Sequence, residues 1–123
     1  MTNSKTPAPV LVSVVDDDES VRESLPDLLR ELGFAAQAFS SAEDFLRSGS
    51  VDDTRCLILD INMPGMSGPD LRQEMLRRGY GIPVIFITAH ADTADVTQGA
   101  VACLVKPFSD TALQDALKKA LSP

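Results

Sequence analysis

Residues 56–65 read Cys56-Leu57-Ile58-Leu59-Asp60-Ile61-Asn62-Met63-Pro64-Gly65: an unbroken apolar run, one carboxylate, then a turn. A short run without polar alternation is what a strand shows when both faces of its sheet are covered, as in a parallel sheet flanked by helices. The carboxylate stands where the chain leaves that strand. In open parallel sheets ligands bind beyond the carboxyl ends of the strands, so Asp60 is the point from which fold and function are read outward.

Upstream, residues 10–15 form a Val-rich run that ends in Asp16-Asp17-Asp18-Glu19. Val21, Leu25, Leu28, Leu29 and Leu32 then recur at three and four, one face of a helix, closed by Gly33. Residues 34–39 give a weaker, Ala-rich strand. Ser40-Ser41-Ala42-Glu43 matches a capping box and opens a short helix through Phe45 and Leu46; Gly49 and Asp52-Asp53 mark a loop. Downstream, Gly68-Pro69-Asp70 opens a helix with proline at its first position, carried by Leu71, Met75 and Leu76. The fourth strand is expected at 83–87, the fifth at 102–105 and the last helix at about 110–121. The pattern is β-α repeated five times, an α/β chain with a parallel sheet. Four of the five strands read as continuous apolar runs and are expected to be buried on both faces. Pro26 removes one backbone donor from the first helix, and a bend is expected there rather than a break. Residues 1–9 are expected to be a flexible tail, and 10–121 one domain.

At 123 residues, 44% hydrophobic and 24% charged, the chain suits one globular core. Its longest apolar runs, 10–15 and 83–87, fall far short of the roughly 20 residues that cross a bilayer. The N-terminal stretch MTNSKTPAPV carries no apolar segment of a secretion signal, so a cytoplasmic protein without a membrane partner is expected. Cys56 and Cys103 lack metal-ligand spacing and read as buried, reduced thiols. A net charge of −7 argues against direct nucleic-acid binding, which needs clustered Lys and Arg.

The polar residues that follow the strands are the candidates for chemistry. They are Asp16 and Asp17 after the first, Asp60 after the third, Thr88 at the end of the fourth and Lys106, followed by Pro107, after the fifth. Each has a plain reading. Asp16 to Asp18 could be a solvated turn favouring a helix N-terminus, Asp60 a turn former, and Lys106-Pro107 by itself means little. Their coincidence at one sheet edge is what carries weight. Clustered carboxylates repel one another unless a cation joins them, and Mg²⁺, a hard ion that keeps waters a phosphate can replace, suits them. One carboxylate could instead be a nucleophile forming an acyl phosphate. Asp60, alone on a central strand, is the candidate, with Thr88 and Lys106 meeting the phosphate oxygens.

With these residues in place the chain resembles the receiver domain of bacterial two-component response regulators. The matching pieces are Val14-Val15-Asp16-Asp17-Asp18, the stretch from Leu59 to Gly68, Ile87-Thr88-Ala89-His90 and Val105-Lys106-Pro107-Phe108, and the likeness covers about residues 9–121. The resemblance implies a doubly wound, flavodoxin-like fold with a five-stranded parallel sheet in the order 2-1-3-4-5 and five helices. It implies phosphorylation of Asp60 by a sensor histidine kinase or phosphotransfer protein, and signalling to a downstream effector. The chain would be a phosphoacceptor rather than a turnover enzyme. Asp17 and Asp60 would ligate Mg²⁺ by side chain, Asn62 by its backbone carbonyl and Asp16 largely through water. Thr88 and Lys106 would contact the phosphoryl group, and the Lys106–Pro107 peptide would be cis. Small Ala89 would leave the phosphate accessible, and Asn62 and His90 occupy the positions that tune acyl-phosphate hydrolysis. His90 is expected to be exposed.

Two departures stand out. Cys103 occupies a position where the family often has a switching aromatic ring. Thr88 to Lys106 spans 18 intervals, about four fewer than the family pattern, near one helical turn. Asp92 to Gln98 therefore leaves room for only a shortened helix 4, expected to be marginal and mobile. A haloacid-dehalogenase-like phosphatase would want a second acid where Asn62 stands. A receiver fold reduced to a binding module would be expected to have lost the acidic pocket. A flavodoxin-like electron carrier would need a phosphate loop where the acidic turn lies. The initiating Met and short tail favour a stand-alone regulator over a domain cut from a longer one.

Overall fold

The computed structural model describes residues 9–90 and 99–122. The elements run β1 (Leu11–Val15), α1 (Glu19–Glu31), β2 (Ala35–Phe39), α2 (Ala42–Arg47), β3 (Thr54–Asp60), α3 (Gly68–Arg77), β4 (Val84–Thr88), β5 (Ala102–Val105) and α4 (Asp110–Leu121). All strand pairs are parallel, in the order β2-β1-β3-β4-β5, as expected. The expected short helix at 92–98 and, save for Pro9, the expected tail at 1–9 lie outside the described residues.

Alternate residues of each strand face opposite sides of the sheet, and the core divides accordingly. On one side Val12, Val14, Cys56, Ile58, Ile85 and Ile87 pack with Leu25 and Leu29 of α1 and Leu113 and Leu117 of α4. On the other, Val15, Leu57, Leu59, Val84 and Phe86 pack with Phe45 of α2 and Leu71 and Met75 of α3. Among the described residues the sheet is thus covered on both faces, two helices to each. Ser13 is polar yet wholly buried on β1. Its hydroxyl lies 2.7 Å from that of Thr54, which gives its own proton to the Ser50 carbonyl at 2.8 Å. Ser13 is therefore the donor of the pair, and neither buried oxygen is left unpaired.

Four expectations need correcting. β5 is not buried on both faces: its residues are half-buried, and Val105 is exposed. Ala-Cys-Leu-Val is apolar enough for an interior strand, but the topology puts it at the sheet edge. Cys103 is accordingly half-buried, not buried. The cap of α2 is Ser41, accepting from the Asp44 amide, instead of Ser40 with Glu43; both registers fit the four-residue template, and the structure takes the second. α1 runs unbroken through Pro26 and ends in paired bonds, Gly33 N to Arg30 O and Phe34 N to Leu29 O, with Gly33 at φ +100°. That is the Schellman arrangement, which the glycine makes sterically cheap. α3 opens on Ser67, whose hydroxyl accepts the Asp70 amide while Asp70 accepts the Ser67 amide, so Pro69 is its second residue, not its first.

Candidate functional site

The ends of β1, β3, β4 and β5 meet at one edge of the sheet. Register fixes their neighbours: Val15 pairs with Leu59, Asp60 with Ile87 and Thr88 with Val105. The Lys106 amide continues the ladder, donating to the Thr88 carbonyl at 2.7 Å. The residues that follow the strands are therefore held side by side by backbone pairing, whatever their side chains do.

The three consecutive acids after β1 take three different roles. Asp16 is fully buried. One of its oxygens accepts the Asp18 amide at 2.9 Å and the other the Lys106 ammonium at 2.9 Å. Asp17 is exposed but keeps a carboxylate oxygen at the cluster. Asp18 caps α1, accepting from the Ser20 hydroxyl and amide, bonds that hold its carboxyl below the usual range. The plain reading of this stretch as a helix-favouring turn fits Asp18 alone.

Asp60 closes β3 and is 7% exposed. One oxygen accepts the Asn62 amide at 3.3 Å and the other lies 3.8 Å from Lys106 Nζ. Burial, and then the negative charge of Asp16, push its pKa up to about 7 against the pull of Lys106. A carboxylate in this position gains from any further positive charge brought beside it. For Lys106, burial works against the charged form. The hydrogen bond and charge of Asp16, with the charges of Asp60 and Asp18, outweigh it and leave the ammonium's pKa raised. Thr88 is fully buried, and its hydroxyl accepts the His90 amide at 3.1 Å. Ala89 and His90 are exposed, Asn62 is exposed, and the Lys106–Pro107 peptide is cis.

Carboxylate oxygens of Asp16, Asp17 and Asp60 all lie within 4.8 Å of one another. Three hard anionic donors gathered this closely fit a small divalent cation such as Mg²⁺. Met63 to Gly65 carry the chain away, and α3 returns it to the site through Gly68. A side chain at that position would collide with the Asp60 carbonyl oxygen. Glu43 of α2 also reaches this loop, its carboxylate accepting the Met66 amide at 3.3 Å. That contact joins residues 23 apart in sequence, and no local pattern announces it.

The sequence model of the family described as response regulator receiver domain matches residues 12–118. Nodulation protein W of Bradyrhizobium diazoefficiens is 45% identical over 111 residues, covering 87% of this chain and 49% of that protein. The structure of the response regulator StyR aligns with a TM-score of 0.82 at 43% identity, over 93% of this chain and 60% of that one. The response regulator TrrA of Thermotoga maritima, solved in complex with Mg²⁺-BeF, aligns with a TM-score of 0.81 at 29% identity, over 90% of this chain and 98% of that one. The chain spans about half the length of the curated relatives it matches.

Proposed function

The chain belongs to the response regulator receiver domain family, and from that premise we propose that Asp60 is its phosphoacceptor, working with Mg²⁺, Thr88 and Lys106. The observation that carries the assignment is the placement of Asp60: a nearly buried carboxylate 3.8 Å from an ammonium and within 4.8 Å of two further acids. In this reading an Asp60 oxygen attacks phosphorus, the bond from phosphorus to the donor breaks, and the donor leaves with that electron pair. Lys106 meets one phosphoryl oxygen, exchanging part of its bond to Asp16 for it, and the Thr88 hydroxyl donates to another. Asp16, Asp17, Asp60 and the Asn62 carbonyl would hold the metal. When bound, the cation supplies the positive charge that offsets both the clustered carboxylates and the incoming phosphoryl group.

A sensor histidine kinase or phosphotransfer protein is the proposed donor, with an effector protein downstream and no direct contact with nucleic acid. A cleft of about 530 Å³ beside the pocket, lined by Val21, Leu25, Leu28, Lys106 and Phe108, offers a protein donor apolar surface to cover. Among the described residues no helix is long and apolar enough to cross a membrane; we propose a cytoplasmic protein with residues 10–121 as its receiver unit.

Treatment with acetyl phosphate and Mg²⁺ should add about 80 Da, one metaphosphate, at Asp60 of the wild type and nothing to D60N. No adduct, or an adduct mapped to another residue, overturns the assignment. Without metal the pocket repels itself. Millimolar Mg²⁺ should therefore raise the wild-type Tm by linkage, and D60N should be more stable than wild type in the metal-free state but gain little from Mg²⁺.

A further inference from the structure

We infer that Glu43 is a positioning residue of the phosphorylation site, bracing from α2 the loop that presents the Asn62 carbonyl. The inference rests on the proposed metal site. A ligand supplied by the main chain has no rotamer of its own, so its position is set by the conformation of the loop that carries it.

The two ends of that loop are held by the elements they join. The Ile61 amide donates to the Ile87 carbonyl at 3.0 Å, the Asn62 amide to Asp60 at 3.3 Å, and the Gly68 amide to the Ile61 carbonyl at 3.2 Å. Its middle is held from another helix. Glu43 Oε2 accepts the Met66 amide at 3.3 Å. The same carboxylate lies against Gly65, where an added Cβ would meet Oε2 at 3.2 Å and Oε1 at 3.7 Å. Gly65 has φ +76°, a conformation that side chains strain to adopt. The turn and the carboxylate therefore fit each other: the backbone bends tightly at residue 65, and Glu43 fills the space a side chain there would need. Ser41, capping α2 by accepting the Asp44 amide at 3.1 Å, fixes the helix turn from which Glu43 projects.

The test compares wild type, E43A and E43Q by amide NMR titration with Mg²⁺ and by hydrogen exchange without metal. E43A should weaken Mg²⁺ binding about tenfold and speed exchange at the amides of residues 62, 63, 65 and 66 by a similar factor. Its acetyl-phosphate reaction should slow at low Mg²⁺ and recover at saturating Mg²⁺. E43Q keeps an oxygen that can accept the Met66 amide and should stay within about twofold of wild type in each measurement. An E43A protein that melts lower yet binds Mg²⁺ as wild type does overturns the inference, since Glu43 would then only stabilise the fold. E43Q as impaired as E43A also overturns it, since charge would matter and not the bond. If wild type itself binds no Mg²⁺ and takes no phosphoryl group, the metal-site reading fails first and takes this inference with it.

Discussion

β3 and β5 both pair with β4, and each delivers one charged residue to the same pocket, yet they are built unlike each other. Six of the seven residues of β3 are buried, whereas none of the four in β5 is. β3 lies between two partners, and β5 is one of the two edge strands among the described residues. The carboxylate proposed to form a covalent bond thus stands on an enclosed interior strand. The ammonium proposed to exchange one oxygen partner for another follows a strand with no buried residue. An enclosed strand holds an atom in place, while an edge strand has fewer neighbours to disturb when it shifts.

The largest contrast should appear in thiol chemistry, because each strand carries one cysteine. Burial pushes the Cys56 thiol up to about 12, whereas Cys103 is half-buried. Native protein at pH 8 should label at Cys103 and at Cys56 only through global opening. Mapped by mass spectrometry, the two rates should differ by about a thousandfold or more, given ordinary domain stability. Equal rates would erase the distinction between the strands. The sign of the Cys56 shift adds a pH signature. The unfolded thiol ionises above about pH 9 while the native one stays protonated, so its contribution to stability is lost as pH rises beyond that point.

Next in size are truncations on the shared core face. Ile58→Ala on β3 should cost about 3–4 kcal/mol in chemical denaturation, and Leu104→Ala on β5 about 1–2; equal costs would mean that β5 is packed as firmly as β3. Lys106→Met should cost about 1–3 kcal/mol without metal, since buried Asp16 loses its ammonium, and Mg²⁺ should return part of that loss. The smallest contrast lies in the helix caps that follow the two strands. The Ser67 amide also donates back to the Asp70 carboxylate, whereas Ser109 accepts the amide of Ala112, whose side chain has no acceptor to return the bond. Both alanine variants should lose about 1 kcal/mol, Ser67→Ala slightly more.

The strands were readable because buried parallel strands are runs, and the site because topology collects residues at one sheet edge. That logic anticipated the meeting of Asp16 and Lys106, 90 positions apart. It did not give β3 its polar first two residues, because Thr54 and Arg55 break the apolar run, nor the pairing of Ser13 with Thr54, which depends on register. The exposure of β5 was hidden because composition reports what a strand can bury and not where it stands. Glu43 escaped for a related reason: a carboxylate in the first turn of a helix is already accounted for by the helix dipole, and its second task lies in a loop far along the chain.

The absence of a side chain at Gly68 has a mechanical consequence. The first turn of α3 is seated on the peptide of residue 60 with no side chain between them, so a shift of that carbonyl would bear on the base of the helix. α3 is about 15 Å long at 1.5 Å per residue, and a tilt of roughly 4° at its base carries its far end through about 1 Å. Leverage of this kind would turn a sub-ångström event at the strand end into a displacement on the outer surface, where Leu76 is exposed.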